Sequence, residues 1–177
     1  MYFKNFPVIP YDSVGDLQFK DVTNLLRRVG LRAKLKSNTS LFDTYDVKEG
    51  ETPEIIAHKL YGDSKLHWVI LIINEITDRY HQWPMSFMQF NEYLNDKYSN
   101  PDSIHHYETQ QSSGDTKVKI EVFNEVDDDA YTGLTPITNR EYEESLQDIK
   151  RQIRLLDPSF VDQFVDEYKA LIDETII

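Results

Sequence analysis

The chain has no cysteine. Disulfide frameworks and thiolate zinc sites are therefore excluded. Glycine is scarce, with six among 177 residues. None of them forms a glycine-rich phosphate loop, and no serine sits in a Gly-x-Ser-x-Gly elbow. Long apolar runs are also missing. The longest, Trp68–Ile73, is far below the ~20 residues that a membrane-spanning helix needs. The opening MYFKNFPVIPYD lacks the basic start and continuous apolar stretch of a secretory signal. Positive charge is the last shortage. Lys and Arg total 19 against 31 Asp and Glu, a net charge of −12. That balance argues against a nucleic-acid backbone or an anionic membrane as the main ligand. Neither is expected as a partner. Leu26–Lys36 departs locally, with Arg27, Arg28, Arg32, Lys34 and Lys36 and no acid. It reads as a solvated or partner-facing segment.

Aromatic residues are plentiful, with 11 Tyr, 9 Phe and 2 Trp. Tyrosine suits places where one end of a side chain packs and the other is wet, so the surplus points to interfaces. The N-terminal arm concentrates it. Tyr2, Phe3 and Phe6 precede Pro7 and Pro10, and each proline pushes its predecessor towards extended backbone. Such an arm is expected to dock on its own domain or to add a strand to a neighbour.

Asp21–Val29 reads as a short helix, with Val22, Leu25, Leu26 and Val29 on one face and Gly30 ending it. Leu31–Phe42 alternates weakly and suggests a strand. The organising stretch is Thr44–Asn74. A short strand, Thr44–Lys48, turns at Glu49–Gly50. Thr52 is placed to cap a helix with Pro53 at its first position, and Ile55, Ile56, Ala57 and Leu60 recur at helical spacing. Gly62 is suited to the left-handed backbone that ends it. Ser64 is expected to cap a second helix, Lys65–Asn74.

Trp83–Pro84 reads as an extended dipeptide. Ser86 then opens a helix to about Lys97, with Phe87, Phe90, Tyr93 and Leu94 inward. Ile104–Glu108 and Thr116–Phe123 read as a β-hairpin, with an acidic loop at Asp127–Asp129. In Thr138–Leu156, Tyr142, Leu146, Ile149, Ile153 and Leu156 recur at intervals of four and three, a narrow helical seam. Asp157–Pro158 breaks it. Ser159 is expected to cap a last helix carrying Phe160, Val161, Phe164, Val165, Tyr168, Leu171 and Ile172. A helical hairpin over 137–177 results, expected to pack on a partner.

Chemistry-bearing residues do not converge. The histidines are His58, His67, His81, His105 and His106. Neighbours on a strand point to opposite faces, so His105 and His106 are not expected to act together with Glu108. Asp127–Asp129 lacks the spacing of a calcium loop. No catalytic residue, metal or cofactor is expected.

YDVKEGETPEIIAHKLYGDSKLHWVILIIN resembles the LysM module, through Tyr45, Val47, Gly50, Glu51, Thr52, Ile56, Ala57, Tyr61, Gly62 and Asn74. Trp68 completes the expected core. The departure is downstream, where ITDRYHQWPMSFMQFNEYLNDKY stands in place of that module's second strand. The Tyr-Gly-Asp turn, the Trp-Val-Ile-Leu helix, the Trp-Pro dipeptide, MYFKNFP and KRQIRLLDP together are similar to baseplate wedge proteins of contractile-tailed phages that contain a LysM-like domain. The resemblance implies an α+β protein: a strand–helix–helix domain with an extended arm, a β-hairpin and a C-terminal helical hairpin. The expected segments are 1–41, 42–98, 99–136 and 137–177. It also implies a virion protein, assembled in the host cytoplasm and present in six copies, one per wedge of a hexameric ring. The implied partners are other wedge proteins, the sheath initiator and neighbouring wedges. Tyr2, Phe3, Phe6, Trp83, Tyr142, Ile149, Ile153, Phe160 and Phe164 are the candidate contacts. A LysM-type module gripping peptidoglycan is the alternative, with half of its sugar groove expected to be lost.

Overall fold

A computed structural model describes residues 5–26, 29–30, 39–109, 118–121 and 133–173, with no side-chain detail at 39 and 119–121. The chain divides into two compact units. The first is Met1–Trp83 with Gln152–Ile177, and the second is Pro84–Arg151. This partition cuts across the four segments expected from the sequence.

The first unit opens with β1 (Val8–Tyr11) and β2 (Lys20–Thr23), an antiparallel hairpin pairing Ile9 with Val22 and Tyr11 with Lys20. Asp12 organises the connection, its carboxylate accepting from the backbone N–H groups of Val14, Gly15 and Leu17. The expected helix from Asp21 is thus replaced, over Asp21–Thr23, by a strand. Helical spacing of Val22, Leu25 and Leu26 was outweighed by ladder pairing to the proline-extended β1. Arg27, Arg28, Leu31–Asn38, Tyr2 and Phe3 lie outside the described residues.

The centre of this unit is β3 (Phe42–Asp46), α1 (Pro53–Tyr61), α2 (His67–Ile73) and β7 (Gln152–Leu156). Thr52 caps α1 by accepting from Ile55 N–H, and Gly62 closes it at φ +75°. Asp63, rather than the expected Ser64, caps the following 3-10 turn Ser64–Leu66, accepting from Lys65 N–H. The strand β7 pairs antiparallel with β3, setting Phe42 opposite Leu156 and Tyr45 opposite Ile153. The partner strand of β3 thus arrives about a hundred residues after it, while the stretch expected to replace a second strand forms helices at Arg79–Gln82 and Phe87–Lys97. One expectation falls here. The helix expected over Thr138–Leu156 ends at Arg151, because Ile153 and Leu155 are buried on a strand. No helical hairpin spans 137–177.

The run Trp68–Ile73 is explained by burial on two sides. Trp68, Val69 and Ile73 join Phe6, Leu156, Val161, Tyr168 and Ile172 in one cluster. Ile70 enters a second, with Val47, Ile56, Ala57, Trp83, Ile153 and Leu155. A helix apolar all round is a buried helix. The last helix, α6 (Val161–Asp173), lies against the first cluster, with the Tyr168 ring 4.5 Å from Trp68. Its apolar side is thus taken up by its own unit rather than reserved for a partner. Asp157, not Ser159, caps the turn before it, accepting from Ser159 N–H. The short α3 (Arg79–Gln82) carries the chain to Trp83.

In the second unit Ser86 and Gln89 form a reciprocal capping box that starts α4 (Phe87–Lys97). Phe90 and Leu94 are buried, whereas Phe87, expected inward, is exposed. A sheet of order β5-β4-β6 follows, from β4 (Ile104–Glu108), β5 (Lys119–Glu121) and β6 (Thr135–Thr138). The acidic loop Asp127–Asp129 lies outside the described residues. The helix α5 (Asn139–Arg151) buries a polar stripe, Asn139, Glu143 and Gln147, instead of the expected apolar seam. Ile149 is 69% exposed.

Candidate interaction surfaces

The loop between β3 and α1 is where a sugar-binding role would be sought. Glu51 and Thr52 in it are engaged from within. The buried Glu51 carboxylate accepts from the Tyr45 hydroxyl at 2.8 Å, from Lys48 N–H at 3.0 Å and from Lys59 Nζ at 2.5 Å. Burial acts to raise the Glu51 pKa, but the Lys59, Lys48 and Tyr45 hydrogen bonds outweigh it and bring the carboxyl down to about 2. Glu51 C=O accepts from the Trp83 indole N–H at 2.9 Å. Trp83, expected as a partner contact, is thereby bonded to this loop and buried in the cluster that holds Val47, Ile56 and Ile70. The Thr52 hydroxyl is committed to capping α1.

The residues named for the LysM-like core fall together in the first unit. Val47, Ile56, Ala57 and Trp68 are buried, and Tyr45 and Tyr61 are partly buried. The Tyr61 hydroxyl donates to Leu156 C=O, and burial pushes its pKa up to about 12. Gly50 and Gly62 both take positive φ. Asn74 is bonded across to β7.

The candidate partner contacts do not fall together. Phe6, Trp83 and Ile153 are buried in the first unit's clusters, and Phe164 packs against the first of them. Phe160 is 39% exposed. In the second unit Ile149 is exposed, while Tyr142 is half-buried and stacked on His105 at 4.0 Å. Other exposed side chains escaped sequence reasoning. The hairpin segment presents Val14 and Leu17 at 82% and Leu26 at 91%. The signal was the turn-forming Asp-Ser-Val-Gly-Asp between Val8–Tyr11 and Lys20–Thr23, which suits a hairpin connection.

Two polar clusters mark the second unit. Glu143 accepts from Lys97 Nζ at 2.7 Å and the Tyr98 hydroxyl at 2.8 Å. Burial acts to raise the Glu143 pKa, and these two bonds win and lower it. The Glu143 bond leads the causes that raise the Lys97 pKa. This cluster ties α5 to the end of α4. The second is a histidine pair. A register irregularity between Ile104 and His106 brings His105 Nδ1 within 2.8 Å of His106 Nδ1. The expectation that the two rings are separated by strand alternation is overturned, since a bulge suspends that alternation. His106 Nε2 lies 3.3 Å from Glu108. Among the described residues no group of three or more His, Cys, Asp or Glu is arranged to hold a metal ion. No helix among them is long and apolar enough to cross a membrane.

Among the described residues these features are internal bonding and packing networks. The family model described as base plate wedge protein 53 matches residues 18–113, and the chain belongs to this family of structural baseplate components. A relative is the baseplate wedge protein gp53 of Enterobacteria phage T4. It is 30% identical over 80 residues, covering 45% of this chain and 35% of the relative. The match thus spans about a third of that relative's length.

Proposed function

We propose that the protein is a structural part of a contractile-tail baseplate wedge and has no catalytic role. It docks on other wedge proteins beside the sheath initiator and joins adjacent wedges around the hub. Six copies serve the ring, one per wedge, added during assembly in the host cytoplasm. The observation that carries this reading is the hairpin at 8–26, where Val8, Tyr11, Val14, Leu17, Phe19, Leu25 and Leu26 are exposed on one short segment. Clustered apolar exposure of this kind marks a surface that another molecule covers. Family membership supplies the setting. Peptidoglycan binding is disfavoured, because Trp83, Lys59 and Tyr45 already occupy the C=O and carboxylate of Glu51 in the β3–α1 loop.

The test is a quantitative mass-spectrometric inventory of purified tails from the phage that encodes the chain. Stoichiometry equal to that of other wedge proteins is expected. Absence from the tail, or retention of the purified protein on peptidoglycan that is lost in Glu51→Ala, would overturn the assignment.

A further inference from the structure

The two edges of the β1–β2 hairpin are not equivalent. Asn24 N–H donates to Pro7 C=O at 2.8 Å. With Val8 opposite Thr23 and Ile9 opposite Val22, that bond fixes the parity of the ladder. Ile9–Val22 and Tyr11–Lys20 are the hydrogen-bonded pairs, while Val8–Thr23 and Pro10–Asp21 are the non-bonded pairs. The peptide groups of Val8, Pro10, Asp21 and Thr23 therefore point away from the ladder. On the β1 side Pro10 has no N–H to offer, so that edge is blunted in the way natural edges are. On the β2 side Asp21 and Thr23 each present both N–H and C=O.

All four residues of β2 are exposed, and among the described residues β2 pairs only with β1. A two-stranded hairpin alone is marginal in water, and a third strand relieves this. Here the root is secured by Phe6, which is buried with Trp68 and Val69, so the hairpin is held out from a fixed base. Its charge selects the occupant. Residues 5–26 contain Asp12, Asp16 and Asp21 against Lys20 alone, ahead of the basic run from Arg27 to Lys36. Pairing with the β2 edge of a second copy would bring two Asp21-bearing strands together.

We propose that the outer edge of β2 receives a third strand from another baseplate protein: an extended, basic segment whose backbone pairs with Asp21 and Thr23. Pairing on the backbone supplies affinity, and the flanking acids supply orientation. The proposal rests on the baseplate reading above and adds to it the edge, the pairing residues and the chemistry of the partner.

Amide hydrogen exchange on the free chain and on purified tails tests it, with mass-spectrometric fragmentation resolving residues 18–26. The Asp21 and Thr23 amides are expected to exchange freely in the isolated chain and at least about tenfold more slowly in the tail. The Ile9 and Val22 amides are expected to be protected in both. A second arm uses Asp21→Pro, which deletes an outward donor while leaving the bonded pairs intact, beside Asp21→Glu, which keeps both the donor and the charge. Incorporation into tails is expected to fall about tenfold in the first and little in the second. Free exchange of Asp21 and Thr23 in tails that contain the chain overturns the edge pairing and leaves the baseplate reading standing. Absence of the chain from tails overturns both. Concentration-dependent dimers of the isolated chain with these amides protected make the occupant a second copy and also overturn the proposal.

Discussion

Asn74 holds Arg154 by both of its backbone groups. Asn74 Nδ2 donates to Arg154 C=O at 2.8 Å, and Arg154 N–H donates to Asn74 Oδ1 at the same distance. The side chain imitates a neighbouring strand and fastens β7 to the end of α2, where Asn74 Nδ2 also donates to Ile70 C=O.

Asn74→Ala removes all three bonds and is expected to destabilise the protein by about 1–3 kcal/mol. Urea unfolding checks it, as a lower midpoint at unchanged slope. Faster amide exchange at Arg154 than at Leu155 would trace the loss to the clasp.

The acid limb of stability is expected to depend on Glu51. Its pKa falls from the ordinary 4.5 to about 2 in the folded chain. A depressed carboxylate contributes stability above its unfolded pKa and loses that contribution as pH falls through the folded value. The melting temperature is therefore expected to decline between about pH 4.5 and about pH 2. Glu51→Gln is expected to lower the plateau and flatten that decline. Glu143, also lowered, contributes on the same limb.

Gly62 tests backbone strain apart from crowding. Its φ is +75°, and a Cβ built there meets nothing within 4 Å. Gly62→Ala is expected to cost about 1 kcal/mol and Gly62→Val more, since a β-branched residue resists positive φ further. Thermal unfolding of the two variants gives the order. Equal melting temperatures for Val and wild type would refute the left-handed cap as the reason for the glycine.

Ile149 and Phe160 separate assembly from folding. Both are exposed. Ile149→Ser and Phe160→Ser are expected to change unfolding free energy by less than about 0.5 kcal/mol. If they are contacts, each lowers incorporation into tails, measured by competition with wild-type chain. Wild-type incorporation by both would remove them from the interface.

Local chemistry was legible in the sequence where a signal sits beside the element it controls. Thr52–Pro53 and Gly62 mark both ends of α1, and Ser86 with Gln89 marks the start of α4. What escaped depends on distance. Gln152–Leu156 continues the spacing of a helix, and nothing within it announces Phe42–Asp46 as its partner. Val22, Leu25 and Leu26 fit a helical face equally well; only the pairing of Val22 with Ile9 decides for a strand. On α5 the apolar positions suggested the buried side. The buried side proved polar, because Lys97, Tyr98, Asn100 and Ser103 offer Glu143 and Asn139 their hydrogen bonds. A polar stripe with matched partners cannot be told from a solvated face by periodicity.

The closing position of β7 orders events on the ribosome. Pro84–Arg151 is one unbroken stretch, so the second unit has all its residues as soon as Arg151 is made. The first unit does not. Its α1 and α2 emerge early, with Ile56, Val69 and Ile70 already present, yet Ile153, Leu155 and Tyr168 that cover them come after the whole insertion. Domains usually fold from the N-terminus as they are synthesised. Here the internal unit is complete first and the surrounding one must wait with apolar helices uncovered. Chains released before Gln152–Leu156 keep Ile56, Val69 and Ile70 without that cover and are expected to aggregate.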